Sequence, residues 1–269
     1  MNYTVFGLDC VFIIWGGWQT ATNNNTVYSI TNNTAPTLTS SLALTDSANW
    51  LAIGTQVWAK ANLNVGTRIA GALAQTNNGG TNVVEKYCYG DTDAGCTNTD
   101  VNLIAYGGLY QWNEAMQYVI TENAQGICPT GSHIPSDNDW KILERRLGMT
   151  QAQADIANAW RGTTQGTQLK SGGSSGLNMP LAGYRLTDGS FVSLLSYAYL
   201  WSSSESSASA WLRDLYSGTA TVLRDAYDKG YGFSVRCLGN WFDRFDPLTI
   251  LLIFLIQSNP YSQKSKSPF

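Results

Sequence analysis

Hydrophobic and polar positions change rhythm several times along the chain. Residues 20–47 show no sustained period: Asn, Thr and Ser dominate, with Asn23, Asn24 and Asn25 in a row and Asn32 beside Asn33. This texture reads as a linker or weakly structured arm over residues 1–47. From Trp50 a pattern sets in. Ile53-Gly54-Thr55-Gln56-Val57-Trp58 alternates as a strand does, and residues 62–69 give a second short apolar/polar stretch. Residues 75–102 are loop-like. Over residues 108–120, Leu109, Trp112, Ala115, Met116 and Val119 recur at helical spacing and predict one apolar stripe. A second helix is expected over 136–147. Ser136 is placed to cap its first turn while Asp139 reaches back, and Trp140, Leu143 and Leu147 form its buried face. Residues 162–176 read as a Gly/Ser/Thr/Gln-rich loop. Residues 181–185 and 191–195 flank Asp188-Gly189, a hairpin-type turn. Short strands then fill 197–238. Helices followed by hairpins predict an α+β fold, two helices packed on short antiparallel sheets with long loops, over residues 48–239. Residues 240–269 form a tail of unassigned role. Its apolar run, 248–256, is too short to span a bilayer.

The most informative alternation lies in 201–238. Trp211, Arg213 and Leu215 share one strand face, while Leu212, Asp214 and Tyr216 share the other. The next strand repeats the design, with Val222 and Arg224 opposite Leu223, Asp225 and Tyr227. Phe233, Val235 and Cys237 close as an inward-facing strand. One face is regular and apolar with an arginine per strand; the other is a chemically arbitrary mixture. A core face would not carry that mixture, and a merely solvated face would carry more Lys and Glu. It reads as a binding face.

Composition adjusts this picture. Charged residues are 13% of the 269, about half the ~25% of an average soluble domain, and Asn, Thr, Ser and Gly supply the missing polarity. The net charge of −3 argues against nucleic acid as the main partner. Lys141, Arg145 and Arg146 are explained by a solvated helix face. Ten Trp and fourteen Tyr can fill a core and also suit a binding surface.

Cys10, Cys88, Cys96, Cys128 and Cys237 contain no C-x-x-C pair, and a single histidine argues against a conventional zinc site. Cys88 and Cys96 flank a turn-rich stretch suited to a short loop. Cys128 and Cys237 are placed for a long-range bridge, leaving Cys10 free. Two such disulfides imply an oxidising compartment, and buried free thiols are the alternative. No signal peptide is legible: residues 11–15 are apolar but short, with no basic residue before them. A secreted or cell-surface setting is therefore an inference from cysteines and composition.

A family resemblance runs through many motifs in order: Gln56-Val57-Trp58 with Asn62-Leu63-Asn64, Lys86-Tyr87-Cys88-Tyr89, residues 106–112, Gly126-Ile127-Cys128-Pro129, residues 133–137, residues 181–185, residues 200–205, and Gly232-Phe233-Ser234-Val235-Arg236-Cys237. Residues 48–239 thereby resemble the Fibrobacter succinogenes major paralogous domain. The resemblance implies a C-type-lectin-like fold of the formylglycine-generating-enzyme type at a cell surface or secreted. The chain also resembles, more narrowly, the variable proteins of diversity-generating retroelements, in which adenine-directed mutagenesis scrambles Asn-type codons on a fixed scaffold. The positions this assigns to a variable ligand face are Leu212, Asp214, Tyr216, Ser217, Gly218, Thr219, Leu223, Asp225, Ala226, Tyr227, Gly230 and Tyr231. Each is reachable from an Asn codon by changing adenines. Trp201, Trp211, Phe233 and a Cys128–Cys237 bridge would hold the backbone, with Tyr216, Tyr227 and Tyr231 as anchors for a protein ligand on another cell, phage or host surface.

Three other readings compete. A fixed structural or adhesion protein of the same family would use the same strands. An enzyme of the formylglycine-generating type finds no reactive cysteine pair, and His133, before a helix, reads as structural; no catalytic residue and no cofactor is expected. A calcium-dependent lectin lacks the Glu-Pro-Asn, Gln-Pro-Asp and Trp-Asn-Asp signatures. Asp91, Asp93 and Asp100 read as an ordinary polar loop, so no metal site is assigned.

Overall fold

The computed structural model describes residues 20–23, 26–29, 49–77 and 83–240. Two compact units are present, Met1–Ala43 and Leu44–Phe269. In the first, β1 (Thr20–Asn23) and β2 (Thr26–Ser29) pair as an antiparallel hairpin, so part of the expected arm is regular structure. Cys10, residues 11–15 and the apolar run at 248–256 lie outside the described residues. Among the described residues no helix is long and apolar enough to cross a membrane.

The second unit is mixed α+β, with few helices and several sheets. Its first hairpin joins β3 (Trp50–Ile53) to β4 (Gln56–Ala59). The strand expected across 53–58 is thus two strands, because Gly54 at φ +60 turns the chain between them. β5 (Thr67–Arg68) pairs in parallel with β6 (Glu85–Lys86). After a 3-10 turn at Tyr89–Asp91 and the short α1 (Ala94–Thr97), the helix expected over 108–120 shrinks to α2, Trp112–Ala115. Leu109 and Tyr110 instead bridge to Tyr87 and Phe233. Beyond α2, Gln117 and Tyr118 take positive φ, and the Ala115 carbonyl accepts the Ile127 N–H that replaces a helical partner. Val119 and Ile120 are consequently exposed.

β7 (Ser132–His133) leads into α3 (Asp137–Arg146), where the capping box forms as read: Ser136 N–H donates to Asp139 Oδ2 at 2.9 Å and Asp139 N–H to Ser136 Oγ at 3.1 Å. A second capping box, Thr150 with Gln153, starts α4 (Gln151–Asp155). β8 (Ala159–Arg161) follows, and α5 (Gln165–Leu169) occupies part of the stretch expected to be loop. Of the described helices only α3 is longer than five residues, so the expected pair of helices reduces to one substantial helix.

β9 (Ala182–Arg185) and β10 (Phe191–Leu194) form the hairpin expected around Asp188-Gly189. The Asp188 carboxylate accepts from the Ser190 N–H at the turn. β11 (Tyr197–Ser206), β12 (Ser209–Tyr216) and β13 (Val222–Asp228) complete a six-stranded sheet ordered β10-β9-β11-β12-β13-β8. β14 (Leu238–Gly239) joins β3, β4 and β7 in a four-stranded sheet. The large sheet has a core on each side. One gathers Leu200, Leu215 and Val222 with Trp58, Trp140 and Leu143. The other gathers Trp201, Leu212 and Phe233 with Tyr110, Trp112 and Val235.

The closing strand expected at Phe233, Val235 and Cys237 does not form; Gly232, Phe233 and Ser234 make isolated bridges, and every residue from 232 to 238 is buried. The Arg236 guanidinium, wholly buried, donates to the carbonyls of Ala59 and Leu177 and to Asn62 Oδ1. Cys237 is bonded to Cys128, and Cys88 to Cys96. The Gly-Phe-Ser-Val-Arg-Cys segment therefore ties both cores together from between the sheets.

Candidate functional site

The face of the large sheet against α3 is locked by charge. Arg213 donates to Glu144 Oε1 at 2.6 Å and Asp137 Oδ1 at 2.8 Å, Arg224 pairs with Asp137, and Arg161 with Glu144. Arg213, Arg161 and Glu144 are all buried. Burial alone would raise the Asp137 carboxyl, but the bonds and charges of Arg224 and Arg213 hold it well below the ordinary carboxylate range. The Arg224 guanidinium also lies 3.9 Å from the ring centroid of half-buried Trp211. These contacts explain the arginine in each strand: it meets a carboxylate on α3.

The opposite face carries aromatic rings. Strand register sets Tyr199 on β11 beside Asp214 on β12 beside Leu223 on β13, with Trp201, Leu212 and Asp225 in one neighbouring row. Tyr197 stacks on Tyr216 at 4.5 Å, and Trp160 of β8 lies 6.3 Å from Tyr216. Tyr184, Tyr199, Tyr227 and Tyr231 cluster around Phe233. Beside them opens a depression of about 390 Å³ lined by Tyr184, Leu186, Tyr199, Tyr227, Asp228 and Tyr231.

Asp214 sits at the centre of this face. Burial pushes its carboxyl up to about 7, against the pull of a hydrogen bond from the Tyr199 hydroxyl. Its Oδ1 has no hydrogen-bond partner. Burial likewise raises the Tyr199 and Tyr227 hydroxyls, whose rings lie 5.7 Å apart.

A family model described as the Fibrobacter succinogenes major domain matches residues 51–238. The chain belongs to this family. No curated protein and no solved structure matches the chain. The matched span of this Fibrobacter succinogenes major domain runs from β3 to the start of β14, taking in both disulfides, the buried ion network and the tyrosine face, and leaving out the β1–β2 hairpin.

The residues assigned from the sequence fall into two groups. Ser217 and Gly218 are exposed, and Tyr216, Thr219, Asp225, Ala226, Tyr227, Gly230 and Tyr231 are partly exposed. Leu212 is not outward: its exposure is 0% and it packs with Trp201 and Phe233. Asp214 at 1% and Leu223 at 9% are buried as well. The alternation of faces is right, but the 106–116 segment and Phe233 cover Leu212, and Asp214 lies between Tyr199 and Leu223 in the sheet. Sequence reasoning missed Tyr184, Tyr197, Tyr199 and Trp160. The spacing Tyr197-x-Tyr199-x-Trp201 was the available signal, since three aromatics at period 2 must share a strand face.

Other candidate chemistry has structural employment. His133 Nδ1 bonds Asn240 Oδ1 at 2.6 Å and its Nε2 lies 3.7 Å from Asp139; those bonds outweigh burial and raise its pKa. Asp91 accepts from the Gly71 N–H, Asp93 pairs with Arg68, and Asp100 accepts from the N–H groups of Asn102 and Ile104. Among the described residues no three His, Cys, Asp or Glu side chains are grouped to hold a metal.

Proposed function

We propose that residues 48–239 form a C-type-lectin-like module, secreted or surface-displayed, that binds a protein partner through the open tyrosine face of the six-stranded sheet. The observation that carries this is the pairing of partly exposed Tyr184, Tyr197, Tyr216, Tyr227 and Tyr231 with a rigid back: the same sheet is bolted to α3 by Arg213 and Arg224 and joined to the 106–116 segment through Phe233. Rigid aromatic rings give large contact area for little ordering entropy, and an already ordered sheet adds little more. Two disulfides favour an oxidising, extracellular setting. In this reading the exposed and partly exposed positions of the variable set, Tyr216 to Thr219, Asp225, Ala226, Tyr227, Gly230 and Tyr231, are diversified by a retroelement.

Sequencing the locus tests the diversification. We expect a near-copy of the codons for 201–238, differing at adenines, beside a reverse transcriptase gene. A complete locus with neither leaves a fixed adhesion or structural module. That second reading draws support from Leu212 and Asp214, whose burial gives them packing roles that free variation would disrupt. A glycan array and binding assays with and without calcium separate both readings from a calcium-dependent lectin. A sulfatase-cysteine oxidation assay does the same for the enzyme.

A further inference from the structure

Four tyrosines of the open face stand in a closed ring. Between ring centroids, Tyr184 lies 4.5 Å from Tyr199 and 6.4 Å from Tyr231, and Tyr227 lies 5.7 Å from both Tyr199 and Tyr231. Buried Phe233 touches all four, with centroids 4.9 to 6.2 Å away. The depression they line holds about 390 Å³, at the small end of the roughly 300–1,000 Å³ typical of ligand pockets.

The one charged side chain that lines the depression is acidic. Asp228 lines the depression, and the carboxylates of Asp214 and Asp225 are close enough to raise the Tyr227 hydroxyl. Asp214 is 1% exposed, stands in register with Tyr199 of the ring, and keeps Oδ1 without a hydrogen-bond partner. No Lys or Arg lines the depression. The nearby basic side chains are already engaged: Lys229 lies over the Trp112 ring at 4.2 Å and against Glu205, and buried Arg185 lies over the Tyr87 ring at 4.4 Å and donates to the carbonyls of Gly71 and Gly230. Aromatic faces attract a cation through their quadrupole, and the exposed Asp228 carboxylate at the rim deepens that attraction.

We propose that the tyrosine ring is a cage for an alkylammonium group, the lysine-type side chain of the protein partner, either free or N-methylated. The proposal rests on the reading of this face as a binding surface and names its ligand chemistry. An uncharged apolar group would gain only burial here, and an acidic group would meet the Asp228 carboxylate.

The test uses the whole chain and soluble probes. Choline and its uncharged carbon isostere 3,3-dimethyl-1-butanol are titrated by calorimetry, with tyrosine ring resonances followed by NMR. Choline should bind about tenfold more tightly than the alcohol, shifting the Tyr184, Tyr199, Tyr227 and Tyr231 rings. Tyr227→Phe should keep this preference, and Tyr227→Leu, which fills the space without a π face, should abolish it. Acetyl-lysine methylamide and its Nε-trimethyl form, titrated alike, show which ammonium the ring takes. Equal affinity for choline and the alcohol, or shifts confined to other tyrosines, overturns the cage. The wild-type comparison decides even if Tyr227→Leu does not fold. Loss of choline preference removes the cage whatever the locus shows, whereas a locus without a template copy removes diversification whatever choline does.

Discussion

Replacing Asp214 by Asn tests the electrostatics of the tyrosine face. Burial raises the Asp214 carboxyl from 3.8 to about 7, so between those values the folded chain holds a proton that the unfolded chain releases. An acid raised in this way is a cost to stability that starts near pH 4, grows as pH rises, and levels off above the folded value. At 1.36 kcal/mol per unit the full shift amounts to about 4 kcal/mol, an upper figure because relaxation and water entry soften it. Asn carries the same shape without the ionisation. Its own hydrogen-bonding offset is independent of pH, so the informative quantity is the stability of Asp214→Asn minus that of the native chain. That difference should be level below about pH 4, rise to about pH 7, and stay level above it. Asp137 and Asp139, whose carboxyls are held low, stabilise the fold as pH rises, but both proteins contain them and the subtraction removes their effect. Guanidinium unfolding followed by tryptophan fluorescence, disulfides intact, at half-unit steps from pH 4 to 8.5 supplies the curve. A gain of about 4 kcal/mol corresponds to roughly 8–16 °C in Tm for a domain of this size. A flat difference, or one that falls with pH, would show that Asp214 is solvated and that the face is more open than described.

Other predictions follow from the same contacts. Glu144→Ala leaves Arg213 and Arg161 buried without their carboxylate and should cost about 3–5 kcal/mol by denaturant unfolding; a loss below about 1 kcal/mol would contradict the ion network. Leu212→Ala should cost about 2–5 kcal/mol, while substitutions at exposed Ser217 and Gly218 should stay within about 0.5 kcal/mol, a contrast readable in one thermal-shift plate. Removing Cys128–Cys237 by paired serines opens a link spanning 109 residues and should cost about 4.7 kcal/mol. Removing Cys88–Cys96, which spans 8, should cost about half as much.

Much of this molecule could be read from local chemistry. The Ser136/Asp139 capping box, the Asp188-Gly189 hairpin and the alternation along β12 and β13 each depend on residues within a few positions of one another, and each forms as the sequence predicts. The segments that departed did so where distant groups outbid local pattern. The helical spacing over 108–120 is real, yet Tyr110 is drawn into a bridge with Phe233 and the Ala115 carbonyl is taken by Ile127, so only one turn survives. Alternation at 212, 214 and 216 showed which side chains share a face, but not what lies over that face. Burying Leu212 while leaving Tyr216 half-open required Phe233, from the end of the domain, and the 106–116 segment, from its middle, to arrive together. The tyrosine ring is likewise assembled from β9, β11, β13 and the turn after β13. Sequence determines which residues point together along a single strand, because that follows from backbone geometry. Which strands become neighbours, and which faces remain uncovered, is decided only by packing between parts of the chain far apart in sequence.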